Sequence, residues 1–184
     1  MPLITRRSLL AAGGTLAAGL IARKPRAAIV LGDISSHLVL TDPPVAPPDV
    51  VFVSADGKEH RLTEFVGHGM VINLWATWCV PCVAEMPALA ALSKTLAPDD
   101  IAVLPLSSDR GGTSVVEAFY EEHGIMGLPV LLDPKGAAGR AWRVRGLPTS
   151  LIIDRKGQER ARLEGSADWS TPTAAETVRK LVAA

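Results

Sequence analysis

Apolar residues run almost unbroken through "MVINLWA" (70–76) and "IAVLPLS" (101–107). Runs of this kind suit strands covered on both faces, as in a sheet flanked by helices. Between them, Met86, Leu89, Leu92 and Leu96 recur at helical spacing and predict a helix from Cys82 to Leu96. "SVVEAFYEEHG" reads as a second helix stopped at Gly124. "LPVLLD" is strand-like, and "KGAAGRAWRV" is a weaker helix. "PTSLIIDRKGQERARLEG" reads as two strands joined by an Arg-Lys-Gly turn, and "TPTAAETVRKLVAA" as a terminal helix with Thr171 as N-cap and Pro172 at its first position. Upstream, "VVFVSADGKEHRL" has the form of a hairpin turning at Asp56-Gly57.

The predicted order is β-hairpin, then β-α-β-α-β-α, then β-β-α. Alternating strands and helices imply an α/β fold whose sheet carries helices on both faces, and the closing hairpin makes that sheet mixed.

The first 48 residues have a different texture. "TRRSLLAAGGTLAAGLIARKPRAA" places an arginine pair before a weakly apolar run from Leu9 to Ala22, the order of an export signal. The pair followed by Ser8, Leu9 and Leu10 is similar to a twin-arginine signal. No good A-x-A cleavage site follows, which leaves a retained membrane anchor open beside a cleaved signal. Residues 1–28 are therefore expected to be an export signal or anchor. Residues 29–48, with four prolines between Pro43 and Pro48, are expected to be an extended linker, and the folded domain to span 49–184. Export implies an oxidising, periplasm-facing setting.

The chain has 184 residues and zero formal net charge. That balance gives no basic excess pointing to nucleic acid. It hides an asymmetry. Residues 1–28 carry five basic side chains and no acid, so the remainder holds fourteen Lys and Arg against nineteen Asp and Glu, a net −5.

The chain has two cysteines, Cys79 and Cys82, in "NLWATWCVPCVAEMP". Three readings of the pair stand. A structural disulfide would close a tiny loop, and stabilisation grows with loop size, so it would do little. A zinc site needs four ligands, and His37, His60, His68 and His123 are scattered. Two thiolates alone suit Cu(I), a copper-chaperone reading. Redox exchange fits the context best. At a strand-to-helix junction, Cys79 faces free helix N–H groups and the positive dipole end, both of which stabilise a thiolate nucleophile. Pro81 stiffens the loop, and Cys82, inside the first turn, suits a resolving thiol.

"VINLWATWCVPCVAEMPAL", the segment "LPVLLDPKGAAGRAWRVRG" and the exported start together resemble the TlpA/ResA-like thiol-disulfide oxidoreductases, and most nearly their TlpA branch. The resemblance covers about residues 49–184 and implies a thioredoxin fold with an N-terminal β-hairpin and a central βα insertion. It also implies that Cys79 attacks, that Cys82 resolves, and that "RGLPTSLIID" holds a cis bond at Leu147–Pro148 facing the cysteines. Trp78, Val80, Pro81 and Leu147 then form the partner-facing rim. Glu85 corresponds to a glutamate linked in that group to proton handling; the alternative is an ordinary acid of a first helical turn. Asn73 stands where ordinary thioredoxins carry a buried aspartate, and reads as a hydrogen-bonded core amide. Thr77 belongs to the active-site rim, His68 to a turn, and Trp75 and Met86 to the core.

The resemblance implies a reductase of client proteins, in cytochrome c maturation or copper-site assembly of cytochrome oxidase. Its electrons would come from a membrane thiol donor of the DsbD/CcdA type, with no cofactor and no metal. Val80-Pro81 between the cysteines lacks the histidine of strongly oxidising DsbA-like relatives, which disfavours the alternative of a disulfide-forming oxidase. A peroxidase is disfavoured too, since no proline lies just upstream and Thr77 is two residues before Cys79 rather than three.

Overall fold

The computed structural model describes residues 33–133 and 135–184. The expected signal or anchor at 1–28 lies outside the described residues. Among the described residues, eight strands form one sheet: β1 (Leu38–Val45), β2 (Val51–Ser54), β3 (Glu59–Arg61), β4 (Gly69–Trp75), β5 (Ile101–Ser107), β6 (Leu131–Leu132), β7 (Thr149–Ile153) and β8 (Glu159–Glu164). The helices are α1 (Ile34–His37), α2 (Val80–Leu96), α3 (Thr113–His123), α4 (Ala137–Ala141) and α5 (Pro172–Ala183). Strand order is β1-β8-β7-β4-β5-β6-β2-β3, with β4, β5 and β6 parallel to one another and the other pairings antiparallel. This is the mixed sheet expected from the sequence.

The seven residues of β4 are all buried because both faces of the strand are covered. Met70, Ile72 and Leu74 face one core with Phe52, Leu104, Leu106, Leu151, Ile153, Ala138 and Trp142. Val71 and Trp75 face the other, with residues of α2, α3 and α5. Asn73 lies on that second face, toward α2. Leu89, Leu92 and Leu96 of α2 are buried against the same face, as their spacing predicts. Thr171 caps α5 by accepting a hydrogen bond from the Ala174 N–H (3.2 Å).

Two elements are shorter than the sequence suggests. The strand in "LPVLLD" is only Leu131–Leu132, and the weak helix is only Ala137–Ala141. Two glycines flank and interrupt the latter segment, and helix propensity there is low. Much of the face formed by Met70, Ile72 and Leu74 is consequently covered by the β2–β3 end and the turn after β3, through Phe52 and Leu62, rather than by a long helix.

The larger difference lies in the expected linker. Residues 38–45 form β1, which pairs antiparallel with β8 (Leu38 with Leu163, Leu40 with Ala161). The Thr41 hydroxyl donates to Glu159 Oε1 (3.1 Å). Prolines cannot donate to a ladder, so they are tolerated here because β1 is an edge strand with an irregular register after Leu40. The Asp42–Pro43 bond is cis. Just before β1, Ile34 is fully buried against the α5 side of the core. The polyproline pattern marked the extended backbone but not its pairing. Among the described residues, no helix is long and apolar enough to cross a membrane.

Ile34 thus anchors a segment upstream of the expected boundary at Asp49. Ile34→Ala should lower unfolding free energy by about 2–5 kcal/mol, the usual range for emptying a buried aliphatic site. The measurement is a urea midpoint shift at unchanged slope. A shift below about 0.5 kcal/mol, the size of a neutral surface change, would mean that this segment is not docked.

Candidate active site

The site forms at the ends of the parallel strands β4 and β5, where open α/β sheets place their ligands. After Trp75 the chain leaves the sheet, and the Cys79 N–H donates to the Ala76 carbonyl (3.1 Å). Cys79 is the extended N-cap of α2, and its carbonyl accepts from the Val83 N–H (3.0 Å). Pro81, in the first turn, sits where a missing N–H costs nothing. The two sulfurs are bonded to each other, with Cα atoms 5.2 Å apart. Cys79 keeps 7% exposure while Cys82 has none. Cys79 is thus the more exposed cysteine, at the positive end of a seventeen-residue helix. Trp78 and Val80, 68% and 61% exposed, project on either side of Cys79 in the sequence.

The register of β7 against β4 brings the second predicted segment to the same end of the sheet. Thr149 pairs with Leu74 and Ser150 with Asn73, so Leu147 and Pro148 enter β7 beside the strand that delivers the cysteines. The Leu147–Pro148 bond is cis. Leu147 packs against the core that includes both cysteines, and the Pro148 carbonyl is taken by the Gly165 N–H (2.9 Å).

Glu85 is not in the first turn of α2. It lies a turn beyond Cys82 on the same helix face and is fully buried. The first-turn dipole role is thereby excluded. Its carboxylate is met by donors from three directions. Asn73 Nδ2 donates to Oε1 (2.8 Å), and the Ala167 N–H (3.1 Å) and Trp169 Nε1–H (3.3 Å) donate to Oε2. Burial outweighs these bonds and raises the Glu85 pKa to about 7. Asn73 Nδ2 also donates to the Ser150 hydroxyl (3.0 Å), while its Oδ1 has no protein partner among the described residues. Asn73 is thus the core amide expected, and in addition the direct partner of Glu85.

Thr77 is a clamp as well as a rim residue. Its N–H and hydroxyl both donate to the Asp109 carboxylate (2.9 and 2.8 Å), and the Ser107 hydroxyl donates to the same group (2.8 Å). Asp109 is buried and ties the loop after β5 to the loop before Cys79. Sequence reading missed Asp109, Ser150 and Trp169. For Asp109 a signal existed: a polar "SSD" directly ending a buried strand on the site-forming edge. Ser150 and Trp169 had none, since their partners lie far along the chain. His68 lies at the opposite end of β4, bonded to Asp100 (2.7 Å), and Met86 is buried core. Among the described residues there is no cluster of His, Cys, Asp or Glu suited to a metal ion.

Comparison with known proteins agrees with this geometry. A model of the AhpC/TSA family matches residues 45–161. The thiol-disulfide oxidoreductase ResA of Geobacillus thermodenitrificans is 33% identical over 119 residues, covering 65% of this chain and 67% of that protein. Among solved structures, the exposed lipoprotein thioredoxin of Streptococcus pneumoniae is 27% identical with a TM-score of 0.58, covering 72% of this chain and 98% of that one. A thioredoxin-family thiol:disulfide interchange protein of Chlorobium tepidum shares the fold at 23% identity and a TM-score of 0.63, covering 78% and 99%. With its disulfide on a thioredoxin-fold helix start and these relatives, the chain belongs to the AhpC/TSA family, among the ResA-like thiol-disulfide oxidoreductases.

Proposed function

We propose that this protein reduces disulfides in client proteins outside the cytoplasm. The observation that carries the reading is the Cys79–Cys82 disulfide at the start of α2, with Cys79 the more exposed residue of the pair and Glu85 buried one turn beyond Cys82. In the reduced enzyme, the Cys79 thiolate attacks a client disulfide, forming a mixed disulfide and releasing one client thiolate. Cys82 then loses its proton and attacks the Cys79 sulfur. The client leaves as a dithiol, and the enzyme holds the disulfide seen here. Two electrons and two protons pass to the client. Restoring the dithiol requires an external dithiol donor, for which a membrane protein of the DsbD/CcdA type is suited.

The twin-arginine-like start supports export, with residues 1–28 as signal or anchor ahead of the domain. An oxidising compartment makes such reduction necessary for clients whose thiols must stay free, as in cytochrome c maturation or copper-site assembly. Val80-Pro81 between the cysteines supports the reducing direction. Trp78 and Val80, which are exposed, and the half-buried Pro81 and Leu147 form the surface against which a client peptide lies, with buried Pro148 shaping the backbone behind Leu147.

Glu85 is the proton acceptor for Cys82 in this scheme. A carboxyl with a pKa raised to about 7 takes a proton when the neighbouring thiol releases one and returns it near neutral pH.

Trapping tests the client step. Cys82→Ser should leave clients disulfide-linked to Cys79 in native extract, and Cys79→Ser should leave none. An empty Cys82→Ser trap would count against client reduction. The direction is tested by redox equilibration: the pair should lie more negative than about −200 mV, and a value near −120 mV would mark an oxidase.

Glu85→Gln tests the proton role by two readouts. In the native chain the resolving step should quicken as pH rises through about 7, where Glu85 becomes a base. The Gln variant should lose that inflection and run about 100-fold slower above it, at the lower end of general-base contributions. Stability gives the second readout. The folded pKa lies above the ordinary value of 4.5, so the native state holds the proton more tightly, and oxidised native protein should lose stability as pH rises from about 4.5 to about 7. Glu85→Gln should flatten that decline. A rate profile unchanged by the substitution would remove Glu85 from the mechanism.

A further inference from the structure

A cleft of about 860 Å³ opens beside Trp78, between the loop after β5 and the start of α4. Arg110, Lys135 and Arg140 line it, and all three are exposed. None of them is ion-paired with a carboxylate among the described residues, and residues 1–32 contain no acid. The single carboxylate on the wall, Asp109, is buried and already holds Thr77 and Ser107. The wall therefore carries three cations to one sequestered anion, on residues 29–184 whose net charge is −5. Arg140 donates to the Lys135 carbonyl, which leaves its charge uncompensated, and a cleft lined by like charges focuses their field.

The cleft is coupled to the chemistry by covalent and hydrogen-bonded links. Trp78 is both its wall and the residue before Cys79. The Asp109–Thr77 bonds fix the Arg110 loop to the loop that carries the nucleophile. The opposite flank differs in character. Val80, Val83, Val115 and Phe119 line a depression of about 620 Å³ there, with Glu122 and His123 at its α3 end and no Lys or Arg. A molecule centred on Cys79 meets three cations on one side and, on the other, valines and Phe119 beside the Glu122 carboxylate. Exposed tryptophan and arginine are also the residue types that most often dominate interface energetics.

Resting on the oxidoreductase reading above, we propose that this cleft docks an acidic segment of the client protein. Arg110, Lys135 and Arg140 are its specificity-determining residues, receiving client carboxylates while the client disulfide lies over Cys79. The attraction is between exposed charges, so it speeds encounter and is screened by salt. The asymmetry also sets the direction of the client: its carboxylates lie toward α4 and its apolar side chains toward α3.

The test uses the reduced full-length chain and three peptides with one intramolecular Cys-x-x-Cys disulfide, alike except for flanking Glu, Ser or Lys residues. Exchange rates should fall in the order Glu, Ser, Lys. The Glu peptide should lead the Ser peptide by about 10-fold at about 0.01 M salt, and the lead should vanish near 1 M. Replacing the three cations together (Arg110→Ser, Lys135→Ser, Arg140→Ser) should bring the Glu peptide down to the Ser peptide's rate. The Ser peptide, and uncharged hydroxyethyl disulfide, should react as before. If the triple variant does not fold, Lys135→Glu alone should cut the lead of the Glu peptide by about 3-fold, a share of the same steering effect. Equal rates for the Glu and Ser peptides would overturn the proposal, as would a lead that survives the substitutions, while reaction with hydroxyethyl disulfide kept the oxidoreductase reading standing. Failure to react with any disulfide would remove that reading and the docking proposal with it.

Discussion

The buried carboxylate of Glu85 is the junction on which the site's architecture depends. It receives hydrogen bonds from Asn73 of β4 and from Ala167 and Trp169 in the segment between β8 and α5. Through Asn73 it is also linked to Ser150 of β7. One side chain of α2 thus ties the helix that carries the cysteines to the strand before it, to the strand after the Leu147–Pro148 bond, and to the approach of the last helix. A buried charge is costly unless well bonded, so a group of this kind is held at a definite place or not tolerated at all. Three donors and strong desolvation act in opposite directions on it. The outcome is a carboxyl whose pKa is raised to about 7, in a core that buries Asn73 and Ser150 beside it.

A second fastening works on the outer side. Asp109 holds Thr77 by backbone and side chain and Ser107 by its hydroxyl. The loop carrying Trp78 is then held from two sides, by Ala76 and Cys79 along the chain and by Asp109 across it. A short, doubly fastened loop presents a sulfur in one orientation. Such preorganisation favours an in-line attack on a disulfide.

Much of this was legible in the sequence. The apolar runs of β4 and β5, the spacing of Leu89, Leu92 and Leu96, and the cap at Thr171 each follow from local periodicity and local chemistry, and each appears in the structure. The cysteine pair was legible because its chemistry is compressed into four residues. What escaped was non-local. Ser150 and Trp169 gain their roles from partners 77 and 84 residues away. The pairing of β1 with β8 joins segments about 120 residues apart, and proline-rich composition gives an extended backbone the same appearance whether it is free or laddered. Glu85 was visible as a candidate, but only burial separates a carboxyl with a raised pKa from an ordinary helix acid.

The two margins of the sheet carry a consequence for how another chain can approach. One margin is β1, where Pro43 and Pro44 offer no N–H and the register breaks. The other is β3, three residues long, with Glu59 and Arg61 exposed. Neither is a good template for an added strand, since missing donors, charge and short length all frustrate a continuous ladder. A visiting polypeptide is thereby discouraged from zipping onto the flanks of the sheet and left to engage at its loop end. In a thiol-disulfide oxidoreductase, margins of this kind separate transient visitation from lasting co-assembly.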